Sequence, residues 1–284
     1  MILRDLLNKG KQVLSYNEIK RSKYEALIIY SKINNCQPLD YYLSKDKKVN
    51  QKQIKIFLKK IFQRSLGKPF SKIFGKKEFY SRDYFVNSST LCPRPETELI
   101  VDIIKKIEVG NKNLEILDLG TGSGCLLISL ILELKKNNFV FGTGVDRCNE
   151  AIRIAVKNAK YHKIEKHLEF FESFWFSNVR RKYDIIVSNP PYIERNEIKN
   201  LPNSVKKFDP LIALDGGIEG LDGFREIAKL AKNFLNPKGY ICLEIGYNQR
   251  KKVRKIFEKE KFIVLNEYKD YGGRDRVIIF KNKI

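Results

Sequence analysis

The first part of the chain, residues 1–74, carries apolar residues at helical spacing. Tyr24, Leu27 and Ile28 form one such group, and a second group begins at Ile54. Positions three and four apart lie on the same face of an α-helix, so this spacing favours amphipathic helices over strands. The pattern predicts a small all-α domain over residues 1–74.

Residues 75–95 carry a different pattern, with two short strand-like segments. Segments 78–80 and 84–86 are rich in aromatic and β-branched residues, and the polar residues 81–83 separate them. Short segments of this kind around a polar turn are typical of a β-hairpin. We therefore predict a hairpin linker over residues 75–95.

From residue 96 to residue 284, helical and strand-like segments alternate. The helices are predicted at 96–108, 123–136, 148–161, 222–235 and 248–260. The strands are predicted at 114–119, 139–146, 167–172, 183–188, 239–245, 262–267 and 275–281. Regular alternation favours an α/β domain with a doubly wound sheet and helices on both faces.

The composition fits a globular protein of the cytoplasm. Hydrophobic residues make up 43% of the 284 residues, which is enough for a sizeable core. Residues 1–10 resemble the start of an amphipathic helix rather than a secretory leader. The most apolar stretch, 114–134, is interrupted by Asp118 and three glycines, which a membrane span accommodates poorly. Five scattered cysteines lack metal-ligand or redox spacing. We expect a cytoplasmic protein with no membrane segment and no metal site.

The formal net charge of +22 raises the question of a nucleic-acid partner. A basic surface gains affinity for a phosphate backbone by releasing counterions. However, lysine far outnumbers arginine, and arginine is the side chain that binds bases and phosphates through two hydrogen bonds. We therefore favour a solvated lysine surface, suited to an acidic partner, and expect no stable nucleic-acid partner.

A glycine-rich loop follows the first buried strand of the alternating region. Strand 114–117 leads into segment 118–124, and a helix begins near Cys125. Glycines allow the backbone to turn sharply and to approach a ligand closely. The next strand ends in Asp146, whose carboxylate could accept both hydroxyl groups of a ribose. This pattern predicts a nucleoside site formed by Asp118, Gly120, Thr121, Gly122, Ser123, Gly124 and Asp146.

The acidic residue before the loop separates two classes of nucleoside site. Dinucleotide-binding dehydrogenases use a similar glycine loop, but they bind a pyrophosphate at the helix N-terminus. A carboxylate at Asp118 suits the ammonium group of a methionine moiety and would repel a phosphate. S-adenosylmethionine is therefore the predicted cofactor. Two simpler roles stay open, with Asp118 only capping the loop and Asp146 only capping the following helix.

A second loop, Asn189-Pro190-Pro191-Tyr192, follows the buried strand 183–188. The prolines restrict the backbone, and the loop carbonyls and the Asn189 side-chain oxygen can accept hydrogen bonds from a primary amide or aromatic amine. Tyr192 could stack on the plane of that group. We take Asn189, Pro190 and Tyr192 as candidate catalytic residues for methylation of a planar nitrogen. No general base accompanies the loop, and His162 and His167 fall at a helix end.

Together these segments resemble a known family, the protein-(glutamine-N5) methyltransferases of peptide chain release factors, also called PrmC or HemK. The resemblance runs from about residue 67 to the C-terminus. Beyond the two loops, it includes segments 90–98, 208–223, 243–246 and 270–276. Phe174 stands where many members carry an acidic residue, Cys92 where an aliphatic residue is more usual, and Asp209 where glutamate is usual. The first 66 residues match the family only in helical character.

The resemblance implies a fold and a reaction. The fold is a Rossmann-like class I methyltransferase domain with a seven-stranded mixed sheet over residues 96–284, after a substrate-docking helical domain. The reaction is methylation of the glutamine in the Gly-Gly-Gln motif of release factors, with S-adenosylhomocysteine as the other product. The resemblance also implies cofactor contacts for Trp175 and Asn189, and substrate contacts for Asn189, Pro190, Pro191 and Tyr192. Trp175 as a plain core aromatic is equally compatible with the sequence.

Two other functions stay open. Adenine-N6 methyltransferases of DNA or RNA share the Asn-Pro-Pro-Tyr loop, but they must extrude a base and usually carry a separate recognition domain. A silent binding module is disfavoured because both loops are intact. We expect a monomer that acts on a protein substrate.

Overall fold

The computed structural model describes residues 1–107, 113–135 and 139–282. The chain divides into two compact units, Met1–Phe74 and Gly75–Ile284. The last residues of two predicted helices, 108 and 136, lie outside the described residues.

The first unit is helical. Its helices are α1 (Leu3–Tyr16), α2 (Ser22–Asn34), α3 (Asp40–Ser44), α4 (Gln51–Ser65) and α5 (Phe70–Phe74). Apolar residues at helical spacing on α1, α2 and α4 form one buried cluster, which includes Leu6, Ile29 and Phe57. At the side of this cluster Arg64 of α4 donates two hydrogen bonds to the Glu25 carboxylate of α2. The unit thus has its own core.

A two-stranded antiparallel hairpin opens the second unit. Its strands are β1 (Lys76–Phe79) and β2 (Arg82–Phe85), and Phe79 pairs with Arg82. The turn therefore lies at Tyr80 and Ser81, one to two residues earlier than the polar segment 81–83 suggests. Both turn residues have positive φ, the geometry that matches the twist of a tight hairpin.

A seven-stranded mixed sheet forms the centre of the second unit, as predicted. Its strands are β3 (Asn113–Leu119), β4 (Phe139–Asp146), β5 (Leu168–Glu172), β6 (Tyr183–Ser188), β7 (Leu235–Glu244), β8 (Phe262–Lys269) and β9 (Asp275–Asn282). The spatial order is β5-β4-β3-β6-β7-β9-β8. The first five strands are parallel, and β9 is antiparallel to both of its neighbours.

Helices cover both faces of this sheet. The helices are α6 (Glu98–Lys106), α7 (Cys125–Leu134), α8 (Asn149–Tyr161), α9 (Asn203–Lys206), α10 (Asp222–Ala231) and α11 (Arg250–Lys259). Side chains of α6, α7 and α8 share one buried cluster with Ile116, whereas those of α10 and α11 share the other with Leu117. Successive strand residues point to opposite faces, so β3 contributes to both clusters. The doubly wound α/β prediction is confirmed.

The predicted boundary between the helix at 222–235 and the strand at 239–245 is wrong. The helix predicted to reach residue 235 ends at Ala231, and residues 232–234 form a short 3-10 turn instead. Strand β7 then begins at Leu235, because the backbone of Leu235 already pairs with Tyr183 of β6.

Within the part of the chain that the structure describes, none of the helices has both the length and the apolar character needed to cross a bilayer.

The strand order determines where a ligand can bind. The order in which strands are added reverses at β3 and β6, because β4 and β5 lie on one side of β3, and β6 and β7 lie on the other. The two strands are parallel hydrogen-bonded neighbours with Leu119 opposite Ser188. In open α/β sheets such a reversal opens a crevice beyond the carboxyl ends of the strands. The glycine loop follows β3 and the Asn-Pro-Pro-Tyr loop follows β6, so the topology brings both to this crevice.

Candidate active site

A cavity of about 650 Å³ lies at the carboxyl edge of the sheet. Residues from both predicted loops line it, together with the end of β4 and the segments after β5 and before α10. Its lining includes Gly120, Gly122, Asp146, Arg147, Ser173, Phe174, Trp175, Asn189, Pro191, Arg195, Leu211, Ile212 and Asp222. The volume is in the range of sites for small organic ligands.

The glycine loop exposes its backbone to this cavity. Gly120 and Gly122 have φ values of +73° and +56°, and a Cβ atom at Gly120 would meet no atom within 4 Å. The open space beside these residues lets a ligand approach the backbone. Gly124 has a different task, because a Cβ there would lie 3.1 Å from that of Ala155. Its lack of a side chain allows α7 to pack against α8.

Asp146 connects the cavity wall to the loop. One carboxylate oxygen accepts a 2.9 Å hydrogen bond from the Gly122 backbone N–H, and the other accepts one of 2.9 Å from Cys148 N–H. Partial burial raises the pKa of the Asp146 carboxyl, and the two N–H donors oppose that rise. Helix α8 begins at Asn149, so Asp146 also supports the helix start. Asp146 therefore both supports the glycine loop and lines the cavity.

Asp118 lies beneath the loop rather than on the cavity wall. Its side chain is almost fully buried, and it accepts a 2.7 Å hydrogen bond from the Thr121 hydroxyl group. Burial raises the pKa of this carboxyl to about 7. Thr121, Ser123 and Gly124 likewise do not line the cavity, whose walls lie within the described residues. Direct contact of Asp118 with a cofactor ammonium group stays a prediction, and the visible role is support of the loop.

Two aromatic residues form the wall beyond β5. Phe174 is exposed, and the Arg147 guanidinium group lies 5.3 Å from its ring centroid. Trp175 has a φ of 50° and packs partly against the apolar cluster below α10. Trp175 thus lines the cavity and contributes to the core, so both of its predicted roles are compatible with its position.

Asn189 of the reaction loop lines the cavity, and a series of hydrogen bonds holds its side chain. The Asn189 amide nitrogen donates a 3.0 Å hydrogen bond to the Thr97 hydroxyl oxygen. That hydroxyl donates a 2.6 Å hydrogen bond to the Glu244 carboxylate at the end of β7. Tyr192 donates a 3.2 Å hydrogen bond from its phenol group to the other Glu244 oxygen. Burial raises the pKa of Glu244 to about 6, although the hydrogen bond from Thr97 opposes the rise.

The rest of the loop is held rigidly. Pro190 is buried, and a Cβ at Gly223 on α10 would lie 3.2 Å from it. The Gln249 amide nitrogen donates to the Tyr192 and Gly220 carbonyl oxygens at 2.9 and 3.0 Å. One loop carbonyl that the sequence leaves available for a substrate is therefore engaged within the protein. The tyrosine side chain points towards Glu244, whereas Pro191 lines the cavity.

Comparison with known proteins agrees with this geometry. The family models PrmC N-terminal domain and Methyltransferase small domain match residues 5–75 and 95–206. A protein of Fusobacterium nucleatum named release factor glutamine methyltransferase is 37% identical over 99% of this chain and 79% of its own length. A protein of the same name from Buchnera aphidicola is 37% identical over 98% of both chains. The chain belongs to the release factor glutamine methyltransferase family.

Membership of the release factor glutamine methyltransferase family makes the chain a methyltransferase and confirms the resemblance seen in the sequence. The match at residues 5–75 extends that resemblance to the helical N-terminal unit. A ribosomal protein L11 methylase from Lactobacillus delbrueckii subsp. bulgaricus superposes with a TM-score of 0.51. It covers 73% of this chain and 89% of its own at 17% identity, so it supports the fold alone.

Three polar residues beside the cavity of this release factor glutamine methyltransferase homologue were not predicted from the sequence. Thr97 lies in the short turn before α6, Glu244 is the last residue of β7, and Gln249 comes directly before α11. One signal was available for Glu244, since an acidic residue directly after the apolar run Ile241–Leu243 stands at the carboxyl end of a buried strand. Thr97 lies in segment 90–98, which belongs to the family resemblance but did not single out this residue, and Gln249 carried no comparable signal.

Proposed function

We propose that this chain transfers a methyl group from S-adenosylmethionine to the side-chain amide nitrogen of the glutamine in the Gly-Gly-Gln motif of peptide chain release factors. The observation that carries the proposal is the meeting of the glycine loop and Asn189 on one cavity in a member of this family. A nucleoside site and an amide-binding group thereby face the same space.

The cavity residues fit the cofactor. Gly120 and Gly122 present open backbone, Asp146 offers a carboxylate for ribose hydroxyl groups, and Trp175 with Phe174 offers an aromatic wall suited to adenine. We assign Asp118, Thr121, Ser123 and Gly124 to support of the loop around that site. S-adenosylmethionine, when bound there, supplies a methyl group on a positively charged sulfur.

The substrate nitrogen needs help from the protein, because the lone pair of an amide is shared with its carbonyl group. Asn189 Oδ1 can accept a hydrogen bond from one N–H of the substrate amide. The rigid Asn189–Tyr192 loop holds that acceptor in one place, so the amide meets the methyl group in a fixed orientation. An acceptor at the N–H also stabilises the positive charge that develops on nitrogen during transfer.

The same proposal covers partners and compartment. The helical unit Met1–Phe74 would help to hold the protein substrate, in line with its match to the PrmC N-terminal domain. The +22 charge suits an acidic protein surface, and the chain would act as a monomer. Within the described residues none of the five cysteines forms a disulfide, which fits the cytoplasm.

The test is transfer of labelled methyl from S-adenosylmethionine to a purified unmethylated release factor. A release factor with the tip glutamine changed to alanine and a DNA duplex serve as parallel substrates. We expect label on the intact release factor alone. Label on the DNA, or on the altered tip, would overturn the proposed substrate in favour of an adenine or another nitrogen.

Two variants of the chain complete the experiment. Asn189→Ala should abolish transfer while cofactor binding is weakened but measurable, because the substrate amide loses its acceptor. Asn236→Ala is the matched control, since Asn236 makes one side-chain hydrogen bond, to Asp184, and does not line the cavity, whose walls are all described. Normal transfer by Asn189→Ala would contradict the role of Asn189.

A further inference from the structure

Thr97 and Glu244 form a buried polar pair that the reaction described above does not use. Thr97 is 5% exposed and Glu244 is 1% exposed, at the carboxyl end of β7. They come from segments 147 positions apart in the sequence, yet a 2.6 Å hydrogen bond joins them. Burying a carboxylate lowers the stability of the fold unless hydrogen bonds or charges compensate for the lost water. A buried glutamate beside the reaction loop therefore suggests a function.

The direction of each hydrogen bond in this pair follows from chemistry. An ionised carboxylate can only accept hydrogen bonds, and a threonine hydroxyl has a single hydrogen to donate. Thr97 gives that hydrogen to Glu244 and can then only accept a hydrogen bond at its oxygen. The Asn189 atom 3.0 Å away must therefore be the amide nitrogen. These hydrogen bonds assign the nitrogen and the oxygen of the Asn189 amide.

The other oxygen of Glu244 is occupied as well. Tyr192 donates to it at 3.2 Å, and burial raises the pKa of its phenol group, which favours the protonated form that makes this bond. The Arg276 guanidinium group, which donates to the Ile245 carbonyl oxygen at 3.1 Å, adds a positive charge on the same side. Burial is the larger effect and, with the nearby charge of Glu96, raises the pKa of Glu244 to about 6, whereas these contacts favour the ionised carboxylate that accepts hydrogen bonds.

We propose that Thr97 and Glu244 are positioning residues that set the orientation of the Asn189 amide and so present its oxygen to the substrate. A reversed amide would direct its NH2 group at the N–H of the substrate, where two donors repel each other. The two orientations of an asparagine amide have the same shape, so packing alone does not choose between them. The hydrogen bonds of Thr97 and Glu244 select one of the two orientations. This inference rests on the proposed function.

The experiment uses the full-length chain and four variants. Thr97→Val removes the hydroxyl at nearly constant volume, and Thr97→Ser restores it. Glu244→Leu removes the acceptor of the Thr97 hydrogen, so the hydroxyl is free to donate to the Asn189 oxygen, which favours the reversed amide. Thr143→Val is the matched control, because Thr143 is a fully buried threonine bonded to a glutamate, Glu169, on β4 and β5, away from the cavity.

Steady-state methyl transfer to the release factor is measured with binding of S-adenosylhomocysteine by calorimetry. We expect Thr97→Val and Glu244→Leu to lower kcat by about 10- to 100-fold, as for other groups that orient a reacting residue. KM for the release factor and the Kd for S-adenosylhomocysteine should change less than about threefold, because Asn189 remains in place. Thr97→Ser and Thr143→Val should stay within about threefold of the parent chain in kcat.

A second measurement needs no substrate. In the S-adenosylhomocysteine complex, the side-chain amide signal of Asn189 is identified by NMR from its loss in Asn189→Ala. We expect slow hydrogen exchange at this NH2 group in the parent and in Thr97→Ser, and fast exchange in Thr97→Val.

Several outcomes would overturn the inference. One is equal kcat in Thr97→Val and Thr143→Val, and another is failure of Thr97→Ser to recover activity. A third is unchanged exchange at Asn189 when the hydroxyl is removed. If instead the parent chain does not methylate the release factor, the proposed function fails, and the exchange measurement still decides whether the pair orients Asn189.

Discussion

The Asn158 side chain of α8 donates a 2.8 Å hydrogen bond to the Ser123 carbonyl oxygen in the glycine loop. The same amide nitrogen donates to the Phe85 carbonyl oxygen at 3.0 Å, and the amide oxygen accepts from Phe85 N–H at 2.7 Å. Asn158 is fully buried, and these bonds join the hairpin, α8 and the loop at one point. The position of the glycine loop therefore depends on a side chain that does not line the cavity.

Asn158→Ala should destabilise the chain and weaken cofactor binding together. Three backbone groups lose their partner, and each buried unpaired group costs about 1–3 kcal/mol. We expect the free energy of unfolding to fall by about 3 kcal/mol and the Kd for S-adenosylhomocysteine to rise several-fold. Chemical denaturation and calorimetry measure the two effects. A normal Kd in a destabilised variant would show that the loop holds its shape without Asn158.

Gly10→Ala should destabilise the helical unit, although alanine normally favours a helix. The gain in helix propensity is about 1 kcal/mol. A Cβ at Gly10 would, however, lie 2.7 Å from Cζ of Phe57, whose ring is fully buried. Overpacking of this kind costs about 1–3 kcal/mol, so the clash outweighs the propensity.

The control for that variant is Lys11→Ala, at an exposed position of the same helix. Thermal unfolding should show a lower Tm for Gly10→Ala and an unchanged or slightly higher Tm for Lys11→Ala. A higher Tm for Gly10→Ala would mean that α1 and α4 move apart at little cost.

Asp118 should make stability depend on pH in a defined direction. Burial raises the pKa of Asp118 from 3.8 to about 7, so the folded chain binds a proton more tightly than the unfolded chain. Between pH 4 and pH 7 the free energy of unfolding contributed by this group therefore falls as pH rises, on the order of 1 kcal/mol per pKa unit. This contribution is fully present below the unfolded pKa and lost above the folded one.

Asp118→Asn tests this dependence, because asparagine cannot ionise but can still accept the Thr121 hydrogen bond. The slope of unfolding free energy against pH, measured by denaturant titration from pH 4 to pH 8, should be flatter in the variant. Subtracting the two profiles removes the contribution of other groups such as Glu244. Identical slopes would show that Asp118 ionises in the folded chain as it does in the unfolded one.

Gln249→Leu should impair methyl transfer without removing any group from the cavity wall. The side chain is 4% exposed and donates to the Tyr192 and Gly220 carbonyl oxygens, so leucine leaves two buried acceptors unpaired. We expect a loss of about 2 kcal/mol in stability and of about tenfold in kcat, because the reaction loop is less firmly held. Assays well below the variant's Tm separate the two effects, and a normal kcat there would contradict the holding role.

Much of the fold could be predicted because it depends on local patterns. Helical spacing identified the N-terminal unit, and alternation of helical and strand-like segments identified the doubly wound sheet with helices on both faces. Boundaries were less secure where pairing decides them, as at Leu235, because a strand begins where its neighbour offers a backbone partner. The turn at Tyr80 and Ser81 shifted for the same reason.

The sequence by itself determined the two loops, since a glycine-rich turn and a proline-rich turn after buried strands have few other uses. It named Gly120, Asp146 and Asn189 as candidate site residues, and the structure places all three on the wall of one cavity. Only the tertiary structure decided that Asp118 lies beneath the loop and that Thr97 and Glu244 stand behind Asn189. Strand order brings those segments together across the sheet, and hydrogen bonds between polar groups so far apart in the chain leave no periodic trace in a single sequence.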